Sequence, residues 1–238
     1  LDNTIIVVTA DNGMPFPRVE GQEYGVSNEL PLAIMWPEGI ESPGRRVADY
    51  VSFIDFAPTF LEAAGIDPSA AGMQPITGRS LLNLFRPGQS GTIDLDRDYA
   101  LIGKERHDPG RPHNKGYPIR GIFMGDWLYL RNYEPDRWPA GNPEAGYLNR
   151  DGSPTKTEVI KARRNSATRH YWKLCFGKRP AEELYHLSED PDCLRNRADE
   201  PSCAERLQAM KHRMESLLRE QGDPRMKGRG DIEVVEDE

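Results

Sequence analysis

The stretch TIIVVTADNG at residues 4–13 decides the fold of this chain. Residues 4–9 are apolar and β-branched on both alternating faces, which predicts a central strand covered by helices on both sides. A carboxylate and an amide follow at once, in Asp11 and Asn12. Ligands of open α/β sheets gather outside the carboxyl ends of the strands. The stretch therefore indicates a metal-dependent enzyme.

The side chains of Asp11 and Asn12 offer only oxygen ligands, which suit a hard cation such as Ca²⁺ or Mg²⁺ rather than zinc. Two residues are too few for a calcium site of about 6–8 oxygens, so further ligands are expected from elsewhere. A plain turn is the alternative interpretation, because Asn-Gly, here Asn12-Gly13, is a common turn dipeptide.

The pattern that follows predicts the end of an α/β domain over residues 1–95. Residues 32–36 are a second short apolar segment, as expected of a strand. Asp55 is predicted to N-cap a helix that has Pro58 in its first turn and ends near Gly65. Strand, loop, strand and helix in this order are typical of an α/β layer.

Residues 96–221 change character and predict a subdomain with a small antiparallel sheet and one packing helix. The predicted strands are 99–103, 119–124, 127–132 and 183–187, and the predicted amphipathic helix is 205–218. Gly125-Asp126 predicts a hairpin turn. Residues 133–168 are polar and are predicted as a long irregular loop. Residues 222–238 are predicted as a loose, charged tail.

Charge and composition narrow the classes of partner. The 238 residues carry a net charge of -7, whereas a nucleic-acid surface needs a basic footprint. No apolar run approaches the roughly 18 residues that span a bilayer. We therefore expect neither nucleic acid nor membrane as a partner. Of the three cysteines, Cys193 and Cys203 flank an Asp- and Arg-rich stretch, where a disulfide and two separate thiols are both open.

An ordered series of motifs resembles the second half of a sulfatase, of the alkaline phosphatase-like superfamily. The motifs are residues 9–13 (TADNG), 24 (Y), 30–32 (LPL), 36–37 (WP), 55–61 (DFAPTFL), 65 (G) and 78–81 (GRSL). The segments MPFP at 14–17 and YPIR at 117–120 resemble the heparan N-sulfatase (N-sulfoglucosamine sulfohydrolase) branch. The segment EELY at 182–185 resembles the closing C-terminal strand of many sulfatases.

The resemblance implies a hydrolase of sulfate esters or sulfamates on sulfated sugars, such as the N-sulfate of glucosamine in heparan-type glycans. It implies that Asp11 and Asn12 are the later half of a site for one divalent cation, usually calcium. The family nucleophile is a formylglycine made from the Cys of a Cys-x-Pro-x-Arg motif, and no such motif occurs in this chain. The nucleophile and the early Asp pair are thus expected in a missing N-terminal portion. The isolated chain is expected to be inactive, and the compartment periplasmic, secreted or lysosomal.

Three further residues are candidates for substrate binding. Where sulfatases carry a Lys or Arg four residues before the loop tyrosine, this chain carries Glu20, which would repel a sulfate. Arg18 is expected to compensate in part as a bidentate anion clamp. His107 follows a predicted strand, where a substrate contact and a solvated surface histidine are both open.

Other polar side chains have a structural alternative that we consider the commoner one. Arg111, His113 and Lys115 form a small basic cluster that could meet an anionic sugar or be a plain exposed loop. Trp138 could stack on a sugar ring or anchor an irregular loop to the core.

Two rival functions remain open. One is a phosphatase or phosphonate hydrolase of the same superfamily, although such relatives usually carry more His and Asp ligands for two metals. The other is a non-catalytic, truncated protein that binds carbohydrate, which Glu20 and the lack of a nucleophile motif favour.

Overall fold

The structure is a computed structural model that describes residues 1–107, 111, 113, 115–148 and 150–229. These residues form two compact units. The first comprises Leu1–Thr9 and Pro31–Ala100, and the second comprises Ala10–Leu30 and the chain from Leu101 onward. Residues 10–30, which include helix α1 (Gly25–Asn28), cluster with the second unit, although the predicted boundary at residue 95 assigns them to the first domain.

The first unit contains a two-stranded sheet. Strand β1 (Ile6–Thr9) pairs antiparallel with β2 (Leu32–Met35), and the register sets Ile6 opposite Met35. The sequence predicts helices over both faces of β1, but Val8 is 63% exposed. Within the described residues β1 pairs with β2 alone, and the face of the strand that carries Val8 is left uncovered.

Two short helices complete the first unit. Helix α2 (Phe56–Ala63) ends two residues before Gly65, whose φ of +68° suits a helix C-terminus, as predicted. Helix α3 (Leu82–Phe85) lies in a buried cluster with Leu81, against which Trp36 and other partly buried residues of the same unit pack. Burial of these apolar side chains stabilises the unit.

Asp55 does not act as the predicted N-cap of α2, since its side chain makes no cap hydrogen bond. A 3₁₀ turn (Phe53–Asp55) precedes the helix. The Asp55 carboxylate instead accepts hydrogen bonds from the backbone N–H groups of Ser52 and Arg79, at 3.1 and 2.8 Å, and pairs with Arg97 at 2.9 Å. The prediction was wrong because the carboxylate pairs with the buried guanidinium of Arg97, which is distant in the sequence.

The second unit contains the predicted small sheet. Its order is β3 (Tyr99–Lys104), β4 (Ile119–Met124), β5 (Trp127–Asn132) and β6 (Glu182–His186). The β4–β5 and β5–β6 pairs are antiparallel. Gly125, at φ +56°, forms the turn between β4 and β5, as predicted.

Helix α6 (Ala204–Glu220) is the predicted packing helix and contacts β4 and β5. Its predicted apolar stripe is buried throughout: Leu207, Met210, Met214, Leu217 and Leu218. A period of 3.6 residues in the apolar positions therefore identified both the helix and its buried face.

The stretch 133–168, predicted as an irregular loop, instead contains α4 (Pro154–Ala162), and α5 (Arg169–Phe176) follows it. The Ser153 side chain caps α4 by accepting from the N–H of Lys156, at 3.1 Å. The helix forms because its partly buried apolar residues, Val159 and Ile160, pack on an aromatic cluster of the same unit.

The start of the predicted loose tail is packed on the second unit. Asp223 pairs with Arg120 at 2.7 Å, and Arg225 pairs with Glu105 at 2.6 Å. The prediction of a loose segment is therefore wrong for residues 222–229, because Asp223 pairs with Arg120 of β4 and Arg225 pairs with Glu105, which follows β3. Residues 230–238 of the predicted tail lie outside the described residues. No helix of the described residues is both long and apolar enough to cross a bilayer.

Candidate functional site

Asp11 and Asn12 follow strand β1 after one intervening residue, Ala10, close to the strand end as the sequence predicts, and both side chains are exposed. The N–H of Asn12 donates a hydrogen bond to Oδ1 of Asp11 at 3.1 Å. The next residue must be small, because a Cβ at Gly13 would lie 2.7 Å from Val19 and 2.9 Å from the carbonyl oxygen of Val26. Gly13 therefore allows the chain to pack closely against Val19 and Val26. We call residues 14–28 the site loop.

The oxygen donors of Asp11 and Asn12 fit a hard divalent cation in kind. They do not suffice in number, and no group of three or more His, Cys, Asp or Glu side chains within the described ranges is placed to hold a metal ion. The two residues can therefore supply at most part of a coordination shell.

Arg18 anchors the site loop. Its backbone has φ +75°, and its guanidinium donates from NH1 to the carbonyl oxygen of Leu174 at 3.0 Å and from NH2 to that of Cys193. The same group lies 4.0 Å from the ring centroid of Tyr24. A guanidinium engaged in this way has few donors left for a sulfate, so its predicted role as an anion clamp would require these bonds to be released.

Tyr24 ties the loop to strand β6. Its hydroxyl donates to Oε2 of Glu183 at 3.1 Å, and both side chains are buried. Burial raises the pKa of Tyr24 to about 12, so the phenol keeps its proton and remains a donor. The tyrosine of the sequence motif therefore has a structural role in this chain, because it holds the site loop against strand β6.

Glu20 lies near enough to Arg150, a buried arginine that the sequence did not suggest as part of the site, to stabilise its charge. One of its carboxylate oxygens is buried without a hydrogen-bond partner among the described residues. Burial lowers the pKa of Arg150 to about 10, and the charge of Glu20 is the main opposing influence. The positive charge of Arg150 therefore compensates the negative charge of Glu20. Arg150 lies in a stretch of sequence that gave no signal for function.

Gly21, at φ +55°, is the point where several charged groups meet. Its carbonyl oxygen accepts hydrogen bonds from Lys104 and, at 3.4 Å, from Arg150. A Cβ at this position would lie 2.7 Å from the ring of His107 and 2.8 Å from the Arg150 guanidinium. The structure thus brings Glu20 and His107, both predicted substrate contacts, to neighbouring positions at one turn.

Lys104, which is partly buried, and Glu23, which is buried, carry opposite charges that influence each other beside this turn. Burial lowers the pKa of Lys104 to about 7, which the charge of Glu23 opposes. Burial likewise raises the pKa of Glu23, which Lys104 opposes. Each charge makes the other tolerable in a site of reduced dielectric. The position of Lys104 at the end of β3 could have drawn notice in the sequence, but its partner could not.

Arg111, His113 and Lys115 line one cavity, together with Trp138. Trp138 also packs on Tyr147 and Trp172, with ring centroids 6.4 and 6.3 Å apart, so it anchors the loop to the aromatic cluster. The two interpretations of this tryptophan are therefore compatible.

The cysteines are three free thiols: Cys175, Cys193 and Cys203. Cys193 is buried, and burial raises its pKa to about 11. The structure therefore favours separate thiols over a disulfide between Cys193 and Cys203.

Comparisons with known proteins agree with the sequence motifs. The family described as N-sulphoglucosamine sulphohydrolase, C-terminal, matches residues 22–99. An ulvan-active sulfatase of Formosa agariphila is 26% identical over 228 residues, which are 94% of this chain and 34% of that protein. The N-sulphoglucosamine sulphohydrolase of Homo sapiens is 26% identical over 94% of this chain and 43% of its own length. The chain thus spans about a third to two fifths of these curated relatives.

Solved structures share the fold. A protein in complex with its substrate D-glucosamine-2-N,6-O-disulfate aligns with a TM-score of 0.59 and 20% identity, over 94% of this chain and 36% of that one. The phosphonate monoester hydrolase of Agrobacterium radiobacter aligns with a TM-score of 0.59 and 18% identity, over 92% and 36%. The predicted fold class, an α/β chain with a small antiparallel sheet and helix at its C-terminal side, is confirmed.

Proposed function

We propose that this chain belongs to the sulfatases, as its motifs predict, and that the protein containing it hydrolyses a sulfate ester or sulfamate on a sulfated sugar. One observation carries the proposal: Asp11 and Asn12 follow the end of strand β1 in a chain whose likeness to two sulfatases extends over 94% of its length. The N-sulfate of glucosamine is the substrate that the family match at residues 22–99 favours.

In this proposal Asp11 and Asn12 contribute oxygen ligands to a site for one divalent cation, Ca²⁺ or Mg²⁺. The cation, when bound, neutralises negative charge on the sulfate oxygens. The remaining ligands and the nucleophile, a formylglycine in the family, come from outside residues 1–238. Such proteins act in the periplasm, outside the cell or in lysosomes, and we propose one of these compartments here.

The second unit would orient the substrate. Arg150 and Lys104 place positive charge at the turn that carries Glu20, so the carboxylate is balanced rather than opposed to an incoming anion. His107, exposed beside the same turn, can offer a nitrogen to a sugar hydroxyl or a sulfate oxygen. This arrangement supports a sulfated-sugar site in which Glu20 is compatible with activity.

Asp11→Asn in the full-length protein tests the metal role. Loss of an outer-shell partner already costs about 10–100-fold in metal affinity or activity, so loss of a ligand charge is expected to cost at least that. Metal content per protein is measured beside turnover of N-sulfoglucosamine and glucosamine-6-O-sulfate. Asp199→Asn, at an exposed site, is the matched control. Unchanged metal content and turnover in Asp11→Asn would refute the proposal.

A substrate panel separates the rival functions. The shared fold with a phosphonate monoester hydrolase makes phosphate and phosphonate monoesters the necessary comparison substrates. Faster turnover of those than of either sulfated glucosamine would favour the hydrolase alternative. Binding of sulfated sugars without turnover of any ester would favour a non-catalytic carbohydrate-binding protein.

A further inference from the structure

We propose that the cavity lined by Arg111, His113, Lys115, Arg137, Trp138 and Asn142 binds an anionic sugar ring, as a subsite for a second residue of the substrate chain. This inference deepens the proposed function and rests on it for the choice of a sugar. The cavity has a volume of about 340 Å³, within the range of about 300–1,000 Å³ found for small-molecule sites.

The charge of the cavity favours an anion. Three cationic side chains line it, Arg111, Lys115 and Arg137, against one carboxylate, Asp136, and of these cations Arg137 also pairs with Glu134 at 3.1 Å. Burial lowers the pKa of Arg111 to about 10, and the neighbouring charge of Arg137 adds to the lowering. Cations crowded in this way are stabilised by an anionic ligand, since a charge-assisted hydrogen bond is about twice as strong as a neutral one.

The remaining walls suit a ring with hydroxyl groups. Trp138 presents an aromatic surface whose position is fixed by Tyr147 and Trp172 behind it. The apolar face of a sugar ring can pack on such a surface, which brings a large contact area without loss of side-chain freedom. Asn142 supplies both a donor and an acceptor for hydroxyl groups.

Hydrogen bonds to the backbone hold the walls in place. Nε of Arg111 donates to the carbonyl oxygen of Trp138 at 3.0 Å, and NH1 of Arg137 donates to that of Gly116 at 3.2 Å. These bonds join the two segments that form the cavity. Lys115, in contrast, is exposed and has its ammonium group available to turn toward a ligand. A site organised before binding loses less entropy when the ligand enters.

The test is the affinity of the full-length protein for three disaccharides, measured by calorimetry: one sulfated, one unsulfated with a uronate carboxylate, and one neutral. We expect Lys115→Ala to weaken binding of the sulfated disaccharide by about tenfold or more. Lys115→Arg should restore most of it, because the charge is kept. Lys161→Ala is the control, since Lys161 is an exposed lysine that pairs with Glu158 and does not line the cavity.

Each outcome has a distinct meaning. Equal affinity of wild type and Lys115→Ala, or equal affinity for the sulfated and neutral disaccharides, would overturn the inference. Tight binding of the uronate disaccharide as well would support an anionic-ring site that accepts carboxylate and sulfate alike. If binding depends on Lys115 but no sulfate is released from any substrate, the proposed hydrolysis fails and the subsite stands.

Discussion

The hydroxyl of Tyr24 donates a hydrogen bond to Oε2 of Glu183, which holds the site loop against strand β6. Glu183 is 2% exposed and also accepts hydrogen bonds from Tyr185, at 2.5 Å, and from the amide of Asn132, at 2.7 Å. A buried carboxylate needs such donors, since it has lost those of water. The tyrosine of the site loop therefore completes a polar network inside the second unit.

Tyr24→Phe should lower the free energy of unfolding by about 1–3 kcal/mol, because it removes one donor from a buried acceptor. Denaturant titration of the two proteins measures the difference. Tyr171→Phe serves as the control. Tyr171 is 54% exposed, so removal of its hydroxyl should change the free energy of unfolding by no more than about 0.5 kcal/mol. Equal effects of the two substitutions would show that the network does not depend on Tyr24.

The partly buried Lys104 should make stability depend on pH in the alkaline range. Its pKa is about 7 in the folded protein against 10.5 for an ordinary lysine, so between these values the unfolded chain binds more protons. Stability therefore rises with pH across this window, by at most about 1.4 kcal/mol per pH unit. Below pH 7 both states are protonated and this contribution no longer changes.

Lys104→Met should remove that rise, whereas Lys161→Met at an exposed site should keep it. Unfolding free energies at several values between pH 7 and 10 give the comparison. If the unfolding free energies of wild type and Lys104→Met change with pH in parallel, the pKa of Lys104 is not lowered in the folded protein.

The ion pair of Asp55 and Arg97 should be among the sensitive points of the first unit. Both side chains are buried, with side-chain exposures of 7% and 1%. Asp55→Asn leaves the guanidinium with only Asp94, at 3.6 Å, as a countercharge, and breaking a buried pair costs up to about 3–5 kcal/mol. Thermal or denaturant unfolding is the measurement, with Asp67→Asn in an exposed loop as control. A loss below about 1 kcal/mol would contradict the role assigned to this pair.

Features set by local periodicity could be predicted from the sequence. The β4–β5 hairpin follows from two apolar runs around Gly125-Asp126, and helix α6 follows from its stripe at 3.6-residue spacing. Helix α4 was missed because its apolar content is low, although Ser153 followed by Pro154 is an N-terminal helix signal.

The surroundings of the candidate site could be predicted only in part. Asp11 and Asn12 are visible because they end an apolar strand. The anchors of Arg18 are not, since Leu174 lies 156 residues away and offers a backbone carbonyl, which carries no sequence signal. The countercharge of Glu20 is hidden for the same reason, as Arg150 is far along the chain. Contacts of this kind follow from the tertiary fold and not from local pattern.

Gly21→Ala should disturb the turn where Lys104 and Arg150 converge. An alanine at φ +55° costs about 1–2 kcal/mol, and here its Cβ would also lie 2.7 Å from the ring of His107. Gly125→Ala is a matched control, because Gly125 has φ +56° and nothing within 4 Å of an added Cβ. We expect both variants to lose stability, and Gly21→Ala alone to change the chemical shifts of the His107 ring in NMR spectra. If both variants lose equal stability and leave the ring unchanged, His107 does not pack on this turn in solution.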